Sequence, residues 1–500
     1  MLQTRPLAHS VFPISLLFGV FAIFVGLLCA VLPLAAALLM AAAVGAVVVF
    51  IAPIRWVTTL ELILATVIAG AVEYFLGIAQ ANWVPYLLAL LLGLRALMER
   101  KTPHEKKIAA TIRSPRPWFI LPLIMYFLTI LASVGFNLSP LAQLVVGLKN
   151  YVFMFGLFLA FLAVRPFDTT TALVWKALII VACVQLPVVL YQKFFIASGL
   201  SNVGGAAGLS WDAISGTFGG SLLGGRSAAM ALFVIMAVVV SLVAWRNRKI
   251  SLSRLQLICL LVLPSLILAE VKAAIVWLLF SGTLVFSRQI RTRPLGFLVA
   301  VLMLLTVAVG IAAAYKAMYY DGGNRSGGYA ELYDKQITYF FDPDLFNAGT
   351  RELGRTASII FWWDQHDISD PVRMIVGHGL GASRGNSSFA VGEVAKLYDF
   401  LIDTSTVTTL LWDLGLLGLV SFIGVLFLGA IESFRLARRK DLPLELQSSI
   451  ECAGIGLLLI LSGLIYNRDA LDASAVQFLI YFFLAILARA KAYGIRSPAA

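Results

Sequence analysis

Lys272 stands in the run Ala269-Glu270-Val271-Lys272-Ala273-Ala274, at the junction of two apolar stretches that leave no room for a full loop. A charge at the centre of a bilayer costs from about 2.5 kcal/mol upward, so this lysine either snorkels beside Glu270 or forms the cationic floor of a cavity that neutralises a phosphate. Arg226 follows Gly219-Gly220-Ser221-Leu222-Leu223-Gly224-Gly225 and opens an apolar run. Amides of a glycine-rich loop at a helix N-terminus can cradle an anion, although glycine is also ordinary in membrane helices. Farther on, Arg351, Arg355, His366, Arg373, His378 and Arg384 crowd one polar segment. A bound polyanion accounts for them; so do local salt bridges to Glu352, Asp364, Asp367 and Asp370. Asp342-Pro343-Asp344 has the spacing of a metal and nucleotide-sugar motif but reads as a turn. Glu61 and Glu73 are expected to pair with arginines of neighbouring helices. Cys29, Cys183, Cys259 and Cys452 lie in or beside apolar runs without CxxC or Cys/His spacing, so neither a disulfide framework nor a metal site is expected.

Apolar helices must position these residues. The chain is 60% hydrophobic and only 13% charged, against about 25% charged in soluble domains. Too few charges remain to clothe a 500-residue globule, so lipid must be the main solvent. The net charge of +12 is spread over short basic clusters between apolar runs, and nucleic acid is not an expected partner. A crossing helix needs roughly 20 apolar residues, which predicts about 14 spans beginning near residues 11, 33, 57, 83, 118, 147, 173, 226, 255, 271, 295, 405, 452 and 473. The first reads as an uncleaved helix, because a second apolar run at Leu32–Val49 follows at once.

Clusters at Arg5, Arg55, Arg95–Arg116, Arg165, Arg246–Arg254, Arg288–Arg293, Arg435–Lys440 and Arg489–Arg496 alternate with the spans as cytoplasmic, placing both termini inside. Four regions result: N-terminal helices (1–198), central helices with a glycine-rich outer loop (199–314), an outer loop (315–404) and C-terminal helices (405–500). The long loop Tyr315–Phe400, with helix-like stretches at Gly328–Phe341 and Arg351–Gln365, reads as a small folded lid on the outer side. No internal repeat or matched pair of broken helices is visible.

The order of these features resembles the superfamily of O-antigen ligases and O-antigen or exopolysaccharide polymerases. The residues that carry the likeness are Lys272, Arg355, Pro371 followed by Gly377-His378-Gly379-Leu380-Gly381, and Asp403-Thr404 before Asp413-Leu414-Gly415-Leu416-Leu417-Gly418-Leu419. They span roughly Gly199–Val425. Val271-Lys272 stands where such ligases show Ser-Arg, which keeps the charge but loses the bidentate fork. Asp403-Thr404 stands in place of a His-Asn pair, which favours a polymerase-like member.

The resemblance implies an all-α polytopic protein of the bacterial inner membrane that moves a glycan from an undecaprenyl diphosphate carrier to a sugar hydroxyl, without metal or cofactor. Lys272, Arg355, Arg351 and Arg226 would stabilise the diphosphate leaving group. Asp403 or His378 would take the hydroxyl proton, unless Asp403 merely caps the following helix. The expected partners are the lipid-linked glycan, the bilayer and other polysaccharide assembly and export proteins. The alternatives are ligase-type transfer to another acceptor, and a lipid-linked oligosaccharide flippase or secondary transporter, which should carry broken or charged segments at the midplane.

Overall fold

The computed structural model describes residues 45–99, 116–197, 214–221, 224–287, 289–317, 337–347, 351–366, 370–385 and 389–493. The chain divides into two units, Met1–Val57 and Thr58–Ala500. Of the first, residues 45–57 are described, and they are largely helical.

The chain is a multi-pass helical membrane protein. Among the described residues, ten helices are long and apolar enough to cross a bilayer. They are α1 (Ile54–Leu76), α2 (Ala79–Met98), α3 (Ile120–Asn137), α4 (Leu141–Ala163), α5 (Phe167–Ala197) and α6 (Ser227–Arg246), then α9 (Pro294–Ala314), α12 (Thr406–Leu436), α13 (Leu444–Gly463) and α14 (Ser474–Ala492). Between α6 and α9 lie two shorter apolar helices, α7 (Leu252–Leu268) and α8 (Ala273–Phe286). Each of these twelve helices overlaps one span expected from the sequence. The spans expected from residues 11 and 33 fall wholly or largely outside the described residues, as does Cys29.

Apolar helices in lipid associate by close packing rather than by hydrophobic drive, so small residues mark the tightest crossings. Helices α2 and α4 cross at Gly93 and Gly156, where a Cβ on Gly93 would lie 2.5 Å from the Cα of Gly156. Gly156→Ile is therefore expected to overpack the crossing by about 3 kcal/mol and to cut the yield of monodisperse protein on size exclusion. Gly135→Ile, where nothing lies within 4 Å of a built Cβ, should be tolerated; equal yields would contradict the packing argument.

Charge pairs tie the helix ends together. Arg246 of α6 grips Glu451 of α13 through two bonds of 2.7 and 2.6 Å, which offsets the cost of burying either charge alone.

The features that organise the site are a break and the loop that packs on it. Helix α12 is interrupted at Gly415, whose φ of +65° places it in the left-handed region. A broken helix leaves carbonyls without partners. Here the amides of His378 and Gly379 donate to the carbonyls of Trp412 (2.8 Å) and Asp413 (3.2 Å). Gly377, at φ +75°, comes so near that a Cβ would lie 2.5 Å from the Asp413 oxygen. The glycine run thus lets the chain approach α12 rather than a ligand.

Before this run lie a hairpin, β1 (Phe346–Asn347) with β2 (Glu352–Leu353), and helices α10 (Arg355–Asp364) and α11 (Pro371–Val376). The helix expected over Arg351–Gln365 starts only at Arg355, because the preceding residues pair in the hairpin. Of the stretch Gly328–Phe341, only residues 337–341 are described, and they are helical. Asp342 accepts a bond of 3.0 Å from the Asp344 amide, so Asp342-Pro343-Asp344 is a turn.

Candidate functional site

The start of α12 decides what Asp403 does. Ser405 caps the helix, exchanging bonds with Thr408 in a capping box. Asp403 is therefore not the cap. Its side chain, 1% exposed, pairs with Arg468 from the connection between α13 and α14. The second carboxylate oxygen, Oδ1, accepts no hydrogen bond in the structure. Arg468 also approaches Asp472 at 3.6 Å, and Asp472 holds Arg384.

Asp413, at the break of α12, places Arg384. Its buried carboxylate accepts from the amides of Gly381 (2.9 Å) and Ser383 (2.8 Å) and from the hydroxyl of Tyr151 (2.8 Å). These bonds pin the loop immediately before Arg384. With its amide oxygen turned toward the arginine, Asn150 accepts from Nε at 2.8 Å and Nη2 at 2.6 Å. Burial pulls the guanidinium of Arg384 below its ordinary pKa, as does nearby Arg468, but arginine titrates too far above neutrality to lose its charge.

Two more cations approach from other helices. Arg226 donates to Asn82 at 3.0 Å and lies 3.6 Å from Glu73. Glu73 also accepts from the amide of Gly220 at 3.0 Å. The glycine-rich loop does hold an anion, but it is a carboxylate of this chain, and Glu73 pairs with an arginine as expected. For Glu61, fully buried, neither side-chain oxygen has a hydrogen-bond partner. Lys149 lies over the rings of Trp83 (5.0 Å) and Tyr86 (4.8 Å), within electrostatic range of Arg226 and Arg384. Asp469 interacts with both Arg226 and Arg468, and burial pushes its carboxyl up to about 6 against their pull. Lys149, Arg226, Arg384 and Arg468 thus form one cationic group threaded by Glu73, Asp403, Asp469 and Asp472.

Arg355 joins the edge of this group. Its Nη1 donates to the carbonyl of Thr404, next to Asp403, while its Nε has no partner and its guanidinium lies over Tyr339 at 5.2 Å. Lys272 lines an apolar cavity of about 500 Å³ with Trp277, Phe340, Phe341, Ile465 and Tyr466. Phe340 stacks on Tyr466 at 5.9 Å. One short segment, Tyr339-Phe340, therefore touches both Arg355 and the wall of the Lys272 cavity. Arg351 is exposed at the mouth of the hairpin, where its carbonyl accepts from Leu401 at 2.8 Å. His378 is engaged by His366, their Nε2 atoms 2.9 Å apart. Among the described residues no three of His, Cys, Asp and Glu gather as metal ligands.

Sequence reasoning gave no role to Lys149, and read Arg384 only as one of six residues of the outer loop that a polyanion would account for; it also gave none to Arg468 or Asp472. The signal for the last two was present, since Asn467-Arg468-Asp469 and Asp472 crowd a connection between two apolar runs. Compared with known protein families the chain matches none, and no curated protein matches it significantly.

Proposed function

We propose that the chain is a polysaccharide polymerase, joining glycan repeat units carried on undecaprenyl diphosphate at the outer, periplasmic face of a bacterial inner membrane, with both termini in the cytoplasm. The observation that carries this reading is the convergence of Lys149, Arg226, Arg384 and Arg468 from separate elements beside a buried carboxylate, Asp403, that keeps one oxygen unpartnered. Preorganised cations of this kind stabilise a diphosphate as its negative charge grows. In the transfer, an acceptor hydroxyl oxygen bonds to the anomeric carbon and the bond from that carbon to the phosphate oxygen breaks. Undecaprenyl diphosphate departs with the electron pair, and Asp403 takes the hydroxyl proton. Arg355, beside Thr404, and Lys272 complete the electrostatics, and the apolar cavity around Lys272 receives lipid tail, which makes the attack effectively intramolecular.

Asp403→Asn tests the assignment. The amide can still accept from Arg468, so folded protein is expected, while transfer in a reconstituted assay with lipid-linked repeat units should fall by about a hundredfold or more. Unchanged transfer overturns Asp403 as the base; loss in His378→Ala instead moves the role to the histidine.

A transporter reading draws on the break in α12 and on the π-turns at Leu64–Ile68, Lys149–Phe153 and Gln192–Ala197. The break, however, is occupied by the chain itself: its carbonyls serve His378 and Gly379, and its carboxylate serves Gly381, Ser383 and Tyr151. Movement of lipid-linked glycan across vesicles without polymer formation would favour the transporter.

A further inference from the structure

The Nδ1 of His366 lies 2.6 Å from the carbonyl oxygen of Trp362, which requires a proton on that nitrogen. In the neutral ring Nε2 is then a bare acceptor. It faces Nε2 of His378 at 2.9 Å, so His378 supplies the proton that closes the bond. Aromatic rings surround the pair. Trp362 stacks on His366 at 4.5 Å, and Trp412 lies 5.1 Å from His366 and 5.6 Å from His378.

Among the described residues, the charged groups around the pair give little relief. On α11, Asp370 and Arg373 pair with each other at 3.4 Å. On α12, Asp413 is committed to Gly381, Ser383 and Tyr151. From α3 and its end come only neutral groups, Asn137 bonded to Gly377 and Ser139 beside Gly379. Asp364 on α10 is exposed.

An N–H···N bond needs one lone pair. Protonating both rings replaces it by two cations in contact at a half-buried site flanked by tryptophan rings, where they repel. The bond joins two segments that matter. His366 follows α10, the helix that begins at Arg355, and His378 belongs to the glycine run bonded to the break of α12.

We propose that His366 and His378 form a proton-operated clasp that keeps α10, and with it Arg355, seated on the break of α12, and that releases them when both imidazoles are charged. The clasp regulates the site described above and rests on that reading only for the role of Arg355. Burial lowers the pKa of His366 from 6.5, and burial together with His366 lowers that of His378 to about 4. For a histidine lowered in the folded state, the stabilisation is fully present above the unfolded value near 6.5 and is lost as pH falls toward 4. The clasp is closed at neutral pH and opens in acid.

Hydrogen–deuterium exchange of the full chain in lipid nanodiscs, corrected for the intrinsic rate at each pH, tests this without substrate or transfer. Protection of the Arg355–Gln365 amides is expected to fall between pH 7 and pH 4.5, by about tenfold for each unit by which the histidine pKa is displaced. In His378→Gln the side-chain amide donates to the bare His366 nitrogen at neutral pH and flips to accept from the imidazolium in acid, so protection should persist throughout. In His366→Gln the side-chain oxygen accepts from the His378 Nε2–H whether that ring is neutral or charged, so protection should persist there too. Acid-linked loss as large in either variant as in the wild type, no loss in the wild type, or loss in both variants already at neutral pH overturns the clasp. None of these outcomes bears on the transferase reading, which Asp403→Asn tests separately.

Discussion

Arg384→Ala is expected to abolish glycan transfer and to lower the melting temperature of the detergent-solubilised protein. The buried guanidinium has two partners, Asp472 and Asn150. Removing it leaves Asp472 with Arg468 alone, at 3.6 Å. Truncating one member of a buried charge pair costs about 3 kcal/mol or more, chiefly because the other charge stays desolvated. The effect on transfer should be larger still, since a lost preorganised donor to a developing oxyanion costs about a hundredfold to a thousandfold in rate. Arg384→Lys separates the two roles: it keeps the charge near Asp472 but loses the planar fork, so stability should largely return while transfer stays low. Wild-type transfer in the alanine variant would remove Arg384 from the diphosphate site, whatever the melting temperature does.

Asp413→Ala should be the most destabilising single change at the break of α12. Its carboxylate receives three donors, the hydroxyl of Tyr151 and the amides of Gly381 and Ser383, all buried. Each stranded buried donor costs about 1–3 kcal/mol, so a loss of about 3–9 kcal/mol is expected. Asp413→Asn retains one oxygen and should fall between. Thermal unfolding followed by size exclusion measures the loss, and an unchanged midpoint in the alanine variant would show that the loop is held by packing instead.

The spans were legible because hydropathy and length are local quantities, readable within some twenty residues. Even the tight pair α7 and α8, with Lys272 at their junction, could be recognised from the absence of room for a loop. The site was less legible because its bonds join residues far apart in sequence. Gly377-His378-Gly379-Leu380-Gly381 does not show what it packs on until α12 is known to break at Gly415, and Gly415 stands in a Gly- and Leu-rich run that gives no sign of which glycine breaks. Asp403-Thr404-Ser405 offers three capping residues in a row, and only the observed bonds assign the cap to Ser405 and free Asp403 for Arg468. Lys149 resembles any lone lysine of an apolar run until Arg226 and Arg384 are placed beside it.

The counter-ions of Asp403 and Arg384 both lie in the short connection between α13 and α14. During synthesis that connection emerges after both the segment that carries Arg384 and α12. Until it arrives, Asp403 and Arg384 lack the salt-bridge partners they contact in the folded chain, Arg468 and Asp472, and their burial beside α12 is disfavoured. Assembly of the cationic group therefore waits on insertion of α13 and α14, and on the proposed transferase reading a chain halted before them would lack the means to discharge a lipid-linked precursor.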